Sequence, residues 1–374
     1  MASPEEPSEL DALFNEEETM YQGEMENGQR HGKGSAQYGP NMHYEGDYRH
    51  GRRHGTGVLS FSDERRFEGE WVDDKAHGFG TFVWRSGNKY EGQWLDNRIA
   101  GTGTLTYASS DRYEGEFRSG RFHGRGVYTY SDGDVYDGEW QEDLRSGKGR
   151  MTFASGDGGV EEYEGNFVGG RMHGFGKYTY ADGSCYEGEF VEGKLHGRGT
   201  LTADTYKFDG EWEDDVKSGE GVVVFTDGQR LEARWINDVL HGVGTLSYPN
   251  GDKYVGQFGH GKKHGLGELQ YANGDMFRGE WVDDRADGPG VLLLADNSRF
   301  EGNFKDDMRH GPGIFHHADG SRYEGTWTNG RKEGKGVLVM PHGDSFSSMW
   351  VNGAISGQGM LELGENSPWH DPEL

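Results

Sequence analysis

The chain has one cysteine, Cys185, among 374 residues, so no intrachain disulfide framework can form and a reducing, intracellular setting is expected. A lone thiol outside any redox or nucleophile motif gives no ground for a catalytic role. No run approaches the roughly 18 consecutive apolar residues of a membrane span. The start, MASPEEPSEL, is acidic where a signal peptide is basic and then apolar, and Ala2 excludes N-myristoylation. These absences predict a soluble, cytoplasmic protein. Positive charge is also scarce, with 38 Lys and Arg against 65 Asp and Glu and a formal net charge of -27. Eleven of the negative charges fall in residues 1–20 and 362–374, which hold no base, leaving -16 on the body. A net-acidic body repels phosphate backbones and anionic headgroups at long range, so nucleic acid is not an expected partner.

Enzyme signatures are missing too. The string Gly28–Gly34, GQRHGKG, has one residue too few between its glycines for a phosphate loop. It also places Gly34 where a Ser or Thr must hold magnesium, and no helix follows. Paired carboxylates such as Asp73-Asp74 and Asp214-Asp215 fall at predicted hairpin turns, where solvation outweighs any raised pKa. No cofactor is implied, and a non-enzyme is expected.

Glycine, at 66 residues, and aromatic residues, at 13%, are abundant instead. Glycine without a Gly-X-Y period excludes collagen, and the aromatic content argues against disorder. The stretch YEGEFRSGRFHGRGVYTY, residues 113–130, contains the whole pattern: an aromatic, a glycine two residues on, a second aromatic, a turn, His-Gly-x-Gly and a returning run. With that first aromatic as position 1, units begin at residues 21, 44, 67, 90, 113, 136, 163, 186, 208, 231, 254, 277, 300, 323 and 346. The spacing is 23 residues except for 27 after Tyr136 and 22 after Tyr186. Residues 1–20 form an acidic leader, with Ser8, Leu10, Asp11, Leu13 and Phe14 sketching a short amphipathic turn. Residues 21–363 are fifteen repeats, 364–374 an acidic tail, and the long loop at 154–162 a candidate joint.

Each unit reads as two short antiparallel strands, giving an all-β fold: an elongated single-sheet meander of fifteen hairpins, about 140 Å long at ~4.8 Å per strand. Positions 1, 3 and 5 share one face, as in Tyr90, Gly92 and Trp94, and positions 14, 16 and 18 share the same face of the return strand. Turns such as Ser131-Asp132-Gly133 join the units. Positions 12 and 14 are glycine in all fifteen units and position 3 in thirteen, with Ala233 and Ser348 the exceptions. Glycine weakens a strand, so its recurrence on the apolar face predicts rings lying over bare backbone.

YEGEF, HGRG and the Asp-Gly turn, repeated over residues 21 to about 363, resemble the MORN repeat (membrane occupation and recognition nexus). All-repeat members of that family are cytoskeletal: radial spoke head proteins of cilia and ring or basal-complex scaffolds, the latter elongated homodimers. The resemblance therefore implies a cytoskeletal scaffold near a cilium, flagellum or basal body, with axonemal or other cytoskeletal partners and self-association. The family name adds an alternative, a phosphoinositide-binding tether between membrane and cytoskeleton.

Two candidate surfaces follow. A single-layer sheet cannot cover both faces, so Trp71, Trp94, Trp140, Trp212, Trp235, Tyr128 and Tyr178 are expected to line an apolar groove that takes protein partners. Basic residues at position 9 or 10 in thirteen units, among them Arg98, Arg121, Arg171, Lys194, Lys262 and Lys263, are expected to line one edge that binds anions or lipid headgroups weakly. Histidine at position 11 in nine units suggests a metal ladder, but equivalent positions two strands apart lie ~9.6 Å from one another, too far for shared ligation, so a structural turn role is expected.

Overall fold

The computed structural model describes residues 18–154 and 159–369. The leader from Met1 to Glu17, Ser8 to Phe14 included, residues 155–158 of the long loop, and 370–374 lie outside the described residues. The described residues contain strands and turns and no helix, with thirty antiparallel strands in one open sheet. The expected all-β hairpin meander is the fold. The chain divides into two compact units at Lys194/Leu195, the start of the strand Lys194–Thr202.

In the first unit the register repeats without drift. Tyr113 lies opposite Tyr128, Gly115 opposite Gly126 and Phe117 opposite Phe122 within one hairpin. At the junction with the next, Tyr128 faces Tyr136, Gly126 faces Gly138 and Gly124 faces Trp140. Glycine therefore faces glycine across strand after strand, as in Gly103, Gly115, Gly126, Gly138 and Gly149. The second unit does the same from Gly256 through Gly267, Gly279, Gly290 and Gly302 to Gly313.

The glycines are bare because the position 1 ring lies on them. A methyl group added to Gly126 would sit 2.4 Å from Tyr113 Oη and 2.5 Å from its Cε2 and Cζ. Added to Gly115, it would sit 2.5 Å from the Gly126 Cα. No side chain fits either place.

Each return strand carries two extra residues, positions 12 and 13, opposite the bond between positions 3 and 4. This bulge puts Gly124 at φ 57°, a left-handed conformation that glycine adopts without a Cβ clash. It also frees a backbone N–H, which the position 4 side chain catches: Arg125 N–H donates to Glu116 Oε1 at 2.9 Å, Phe79 N–H to Glu70 at 3.0 Å, and Leu266 N–H to Gln257 at 3.0 Å. The position 1 hydroxyl completes the lock, Tyr113 Oη donating to the Glu116 carbonyl at 2.8 Å. Since the position 13 N–H is already off the ladder, Pro289 and Pro312 occupy it in mid-strand.

Both edges are stitched from one hairpin to the next. Positions 7 and 8 form a two-residue turn with both residues left-handed, as in Asp73 (φ 48°) and Asp74 (φ 68°), the type I′ geometry that suits strand twist. The position 8 carboxylate then accepts the position 10 N–H of the preceding hairpin: Arg53 to Asp74 at 2.9 Å, Phe122 to Asp143 and Ala286 to Asp307 at 2.8 Å. At the opposite edge the turn glycine has positive φ as expected, Gly133 at 98°. There position 22 accepts from the next turn, Ser131 N–H donating to Asp111 at 2.7 Å and Ala108 N–H to Asn88 at 3.0 Å.

The two irregular spacings fall outside the conserved register. The longer one adds the pairs Phe153–Glu161 and Ala154–Val160 beyond the usual last pair, so the ladder continues into the segment expected to form a joint. The shorter one removes a residue from the outer turn between Thr202 and Lys207, which still pair.

Two expectations test this construction. Gly126→Val forces Tyr113 off its seat, an overpacking cost of roughly 3 kcal/mol; differential scanning calorimetry should show a clear fall in Tm, and an unchanged Tm refutes the seat. The Asp111 carboxyl is held below its usual 3.8, burial working against the shift and the bonds from Ser131 outweighing it. A carboxyl that binds its proton less readily when folded stabilises the fold above the unfolded value, and that stability drains as pH falls through the folded value. Asp111→Asn, which keeps the acceptor that Asn88 uses, should therefore lose less Tm than the wild type between pH 5 and pH 2.5.

Candidate interaction surfaces

The position 5 ring does not project from the sheet. It stands edge-on between two position 1 rings, its own and that of the preceding hairpin: Phe117 contacts Tyr113 at 5.0 Å and Tyr90 at 5.1 Å between centroids, and Trp140 contacts Tyr136 at 5.1 Å and Tyr113 at 5.5 Å. Interplanar angles of 82–89° in these four pairs are the edge-to-face geometry that aromatic quadrupoles favour. The indole N–H is used as well, Trp140 Nε1 donating to the Gly126 carbonyl at 3.0 Å and Trp94 Nε1 to Gly80 at 3.1 Å.

The expectation of an open ring-lined groove is therefore corrected. Trp71, Trp94, Trp140, Trp212 and Tyr128 are buried, Trp71 to 1% exposure, because each ring's neighbours along the array cover it. Tyr178 is half-buried against Phe153 and Tyr180, its hydroxyl bonded to Glu161. Trp235 is half-buried against Phe208, and its indole N–H has no partner among the described residues. Its unit is the one built on Leu231 and Ala233 in place of ring and glycine.

The basic edge splits in two. Position 9 is exposed, as at Arg98, Arg121, Arg171, Lys194 and Lys262, and it alternates with the turn acids of the following hairpin. Arg121 pairs with Glu142 at 2.7 Å, Arg285 with Asp306 at 2.7 Å, and Arg171 with Glu192. Position 10 turns inward. Arg53 is 3% exposed, with its guanidinium 4.6 Å from the Trp71 ring centroid, and Arg309 lies 4.4 Å from Trp327. Arg30, Arg145, Lys217 and Lys332 are placed the same way over position 1 and position 5 rings. Lys263, assigned above to the edge, belongs here: it is 9% exposed, 4.6 Å from the Trp281 ring and 5.7 Å from Tyr254. Burial lowers its pKa, with Asp284 the strongest of the acids opposing that shift.

The position 11 histidines stay apart, and among the described residues no three His, Cys, Asp or Glu side chains are grouped to hold a metal ion. His54 and His77 each approach a turn acid at 3.9 Å, Asp73 and Asp96 respectively.

The face opposite the rings carries what sequence reasoning had not singled out. A cavity of about 800 Å³ runs from Gln22 and Lys33 to Glu70 and Phe79. A second, of about 750 Å³, runs from Glu68 and Phe79 to Glu114 and Gly115. Their walls are position 2 acids and position 13 and 15 side chains, and their floor is the glycine row seen from behind. The signal lay in the alternation, since positions 3 and 14 point to the ring face and leave only backbone between the flanking side chains on the other.

Among the described residues, an array of closely similar hairpins with its rings locked inward and a channel on its other face defines a repeat-built interaction scaffold. The chain belongs to the MORN repeat family, whose profile matches fifteen consecutive stretches from residues 21–41 to 346–364. MORN repeats point to a non-enzymatic, protein-interaction scaffold. No curated protein matches this chain. Among solved structures it is similar to the TCP10 domain of Danio rerio CPAP in complex with a STIL peptide: 11% identity over 65% of this chain and 91% of that one, TM-score 0.31. It is also similar to the SAS-4 (dCPAP) TCP domain of Drosophila melanogaster with a proline-rich motif of Ana2: 13% identity, 54% and 88% coverage, TM-score 0.25.

The inward cations give a direct test. Lys263→Met keeps length and contact with the rings and should change Tm by only a few degrees, whereas Lys263→Glu sets a carboxylate among rings beside Asp284 and should lower it far more. Equal melting of the two variants would show that Lys263 is not buried.

Proposed function

We propose that this chain is a non-catalytic scaffold of the cytoskeleton, ciliary or ring-like in type, that holds partner proteins on the sheet face opposite its rings. The observation that carries the reading is the closure of the ring face by its own packing, while the other face keeps a channel that spans five hairpins. The run of fifteen consecutive repeats supports the cytoskeletal part, because this stretch resembles the repeat-rich MORN scaffolds, which are of that kind. Self-association belongs to the same proposal: among the described residues the strand Ala354–Glu362 pairs on one side only, with Ser345–Val351, and is exposed along its whole length. The alternative of a phosphoinositide tether has less support, because the exposed position 9 cations alternate with acids and Lys263 is withdrawn among rings.

A tagged chain expressed in flagellated cells should stay with the detergent-insoluble axoneme or basal body, and full recovery in the soluble fraction overturns the scaffold reading. Light scattering on the purified chain should give the mass of a dimer; a monomer at all concentrations removes self-association. Vesicles containing phosphoinositide should pull down little protein at physiological salt, and strong sedimentation would favour the tether instead.

A further inference from the structure

The channel has a spacing, and the spacing selects an occupant. Its floor is the backbone of eight glycines from Gly34 to Gly115, and the two cavities share Glu68 and Phe79, so they are continuous. One wall presents Glu45, Glu68, Glu91 and Glu114, one carboxylate per hairpin. Phe79, 60% exposed, stands across the glycine row from that wall, paired with Gln93, while Thr81 lies between Glu68 and Glu91.

The charges are available. The Glu45 side chain has no hydrogen bond or ion pair among the described residues. Glu68, Glu91 and Glu114 hold only Arg66, Lys89 and Arg112, two residues away on their own strands, at 2.7, 2.9 and 2.5 Å. All six side chains are about half exposed, and such pairs are weak and exchange readily. The one base in the lining, Lys33, is paired with Asp47 at 2.7 Å.

Carboxylates on every second strand recur about every 9.6 Å, and the channel crosses the strands, so a bound chain lies at right angles to them. An α-helix covers that distance in about 6.4 residues, or 1.8 turns, which swings successive side chains out of the channel. A polyproline II segment covers about 9.3 Å in three residues, one full turn, and returns the same face to each carboxylate.

We infer that the channel between Gln22 and Gly115 docks a basic protein segment in polyproline II form, with Lys or Arg at every third residue. Each cation meets one of Glu45, Glu68, Glu91 and Glu114, and the residues between rest on Phe79 and the glycine floor. This names the partner chemistry of the scaffold proposed above and rests on that reading.

The test uses the full chain and fluorescence anisotropy with labelled (Arg-Pro-Pro)5 and a second peptide of the same composition with its five arginines grouped at one end. General attraction to a chain of net charge -27 holds both peptides alike. The channel should bind the spaced peptide at least tenfold more tightly, and the variant E45Q/E68Q/E91Q/E114Q should lose at least that factor. Equal affinity for the two peptides, or for the variant and the wild type, overturns the inference. Carbodiimide footprinting of the wild type gives an independent readout that needs no variant: the spaced peptide should protect Glu68 and Glu91, and unchanged labelling refutes docking there. If the peptides fail while the wild-type chain stays with the insoluble cytoskeleton, the channel assignment falls and the scaffold reading stands. A wild-type chain found wholly in the soluble fraction removes the scaffold reading whatever the peptides do.

Discussion

The structure depends on an aromatic ring lying flat on two facing glycines. A single-layer sheet has no second layer to bury its apolar side chains, and an isolated hairpin is marginal in water. Here the position 1 ring of a hairpin covers the glycines of its own strands and takes an edge-on ring from the next, so that Tyr44, Tyr90, Tyr113 and Tyr136 are fully buried. The layer that would ordinarily pack against the sheet is supplied by its own side chains. Every other regularity serves that contact: the glycine row gives the ring room, the bulge leaves a carbonyl for its hydroxyl, and the edge carboxylates hold the next hairpin in register.

This arrangement reverses the usual places of charge and apolar surface. Seven cations at position 10 sit over rings, where the π faces and nearby carbonyls offset part of their lost hydration: Arg145 reaches the Gly170 carbonyl at 2.8 Å and Arg309 that of Gly330 at 3.0 Å. Apolar side chains such as Leu266 and Phe79 are meanwhile exposed on the opposite face. Acids at the turns and bulges, such as Asp74, Asp111 and Glu116, are backbone acceptors, which makes part of the negative charge a consequence of the fold and not only a property of the surface.

The period, the two-strand unit, the face shared by positions 1, 3 and 5, and the ring over glycine could all be read from the recurrence of Tyr, Gly and Trp at fixed offsets. What could not be read was overlap between hairpins. Alternation tells which face Trp94 occupies, but not that Phe67 and Tyr90 cover it from two sides. Treating positions 9 and 10 together hid a change of face within one residue. Ala76, Ile99, Phe122 and Ala286 at position 10 were the available sign that this site is interior. The bulge was also unannounced, although Glu, Gln, Asp or Asn at position 4 in twelve units marks the acceptor it needs.

The two irregular spacings show where the design tolerates change. Four residues are gained and one is lost without disturbing a single ring, glycine pair or bulge, because both changes fall at the outer turn. Where neighbouring junctions repeat the same contacts, copying or deleting a whole hairpin creates no new kind of interface and leaves no cavity to refill. Unequal recombination within the gene can thus lengthen or shorten such a chain in 23-residue steps, making the reach of the scaffold a quantity that selection can set by copy number, independently of stability at any one junction.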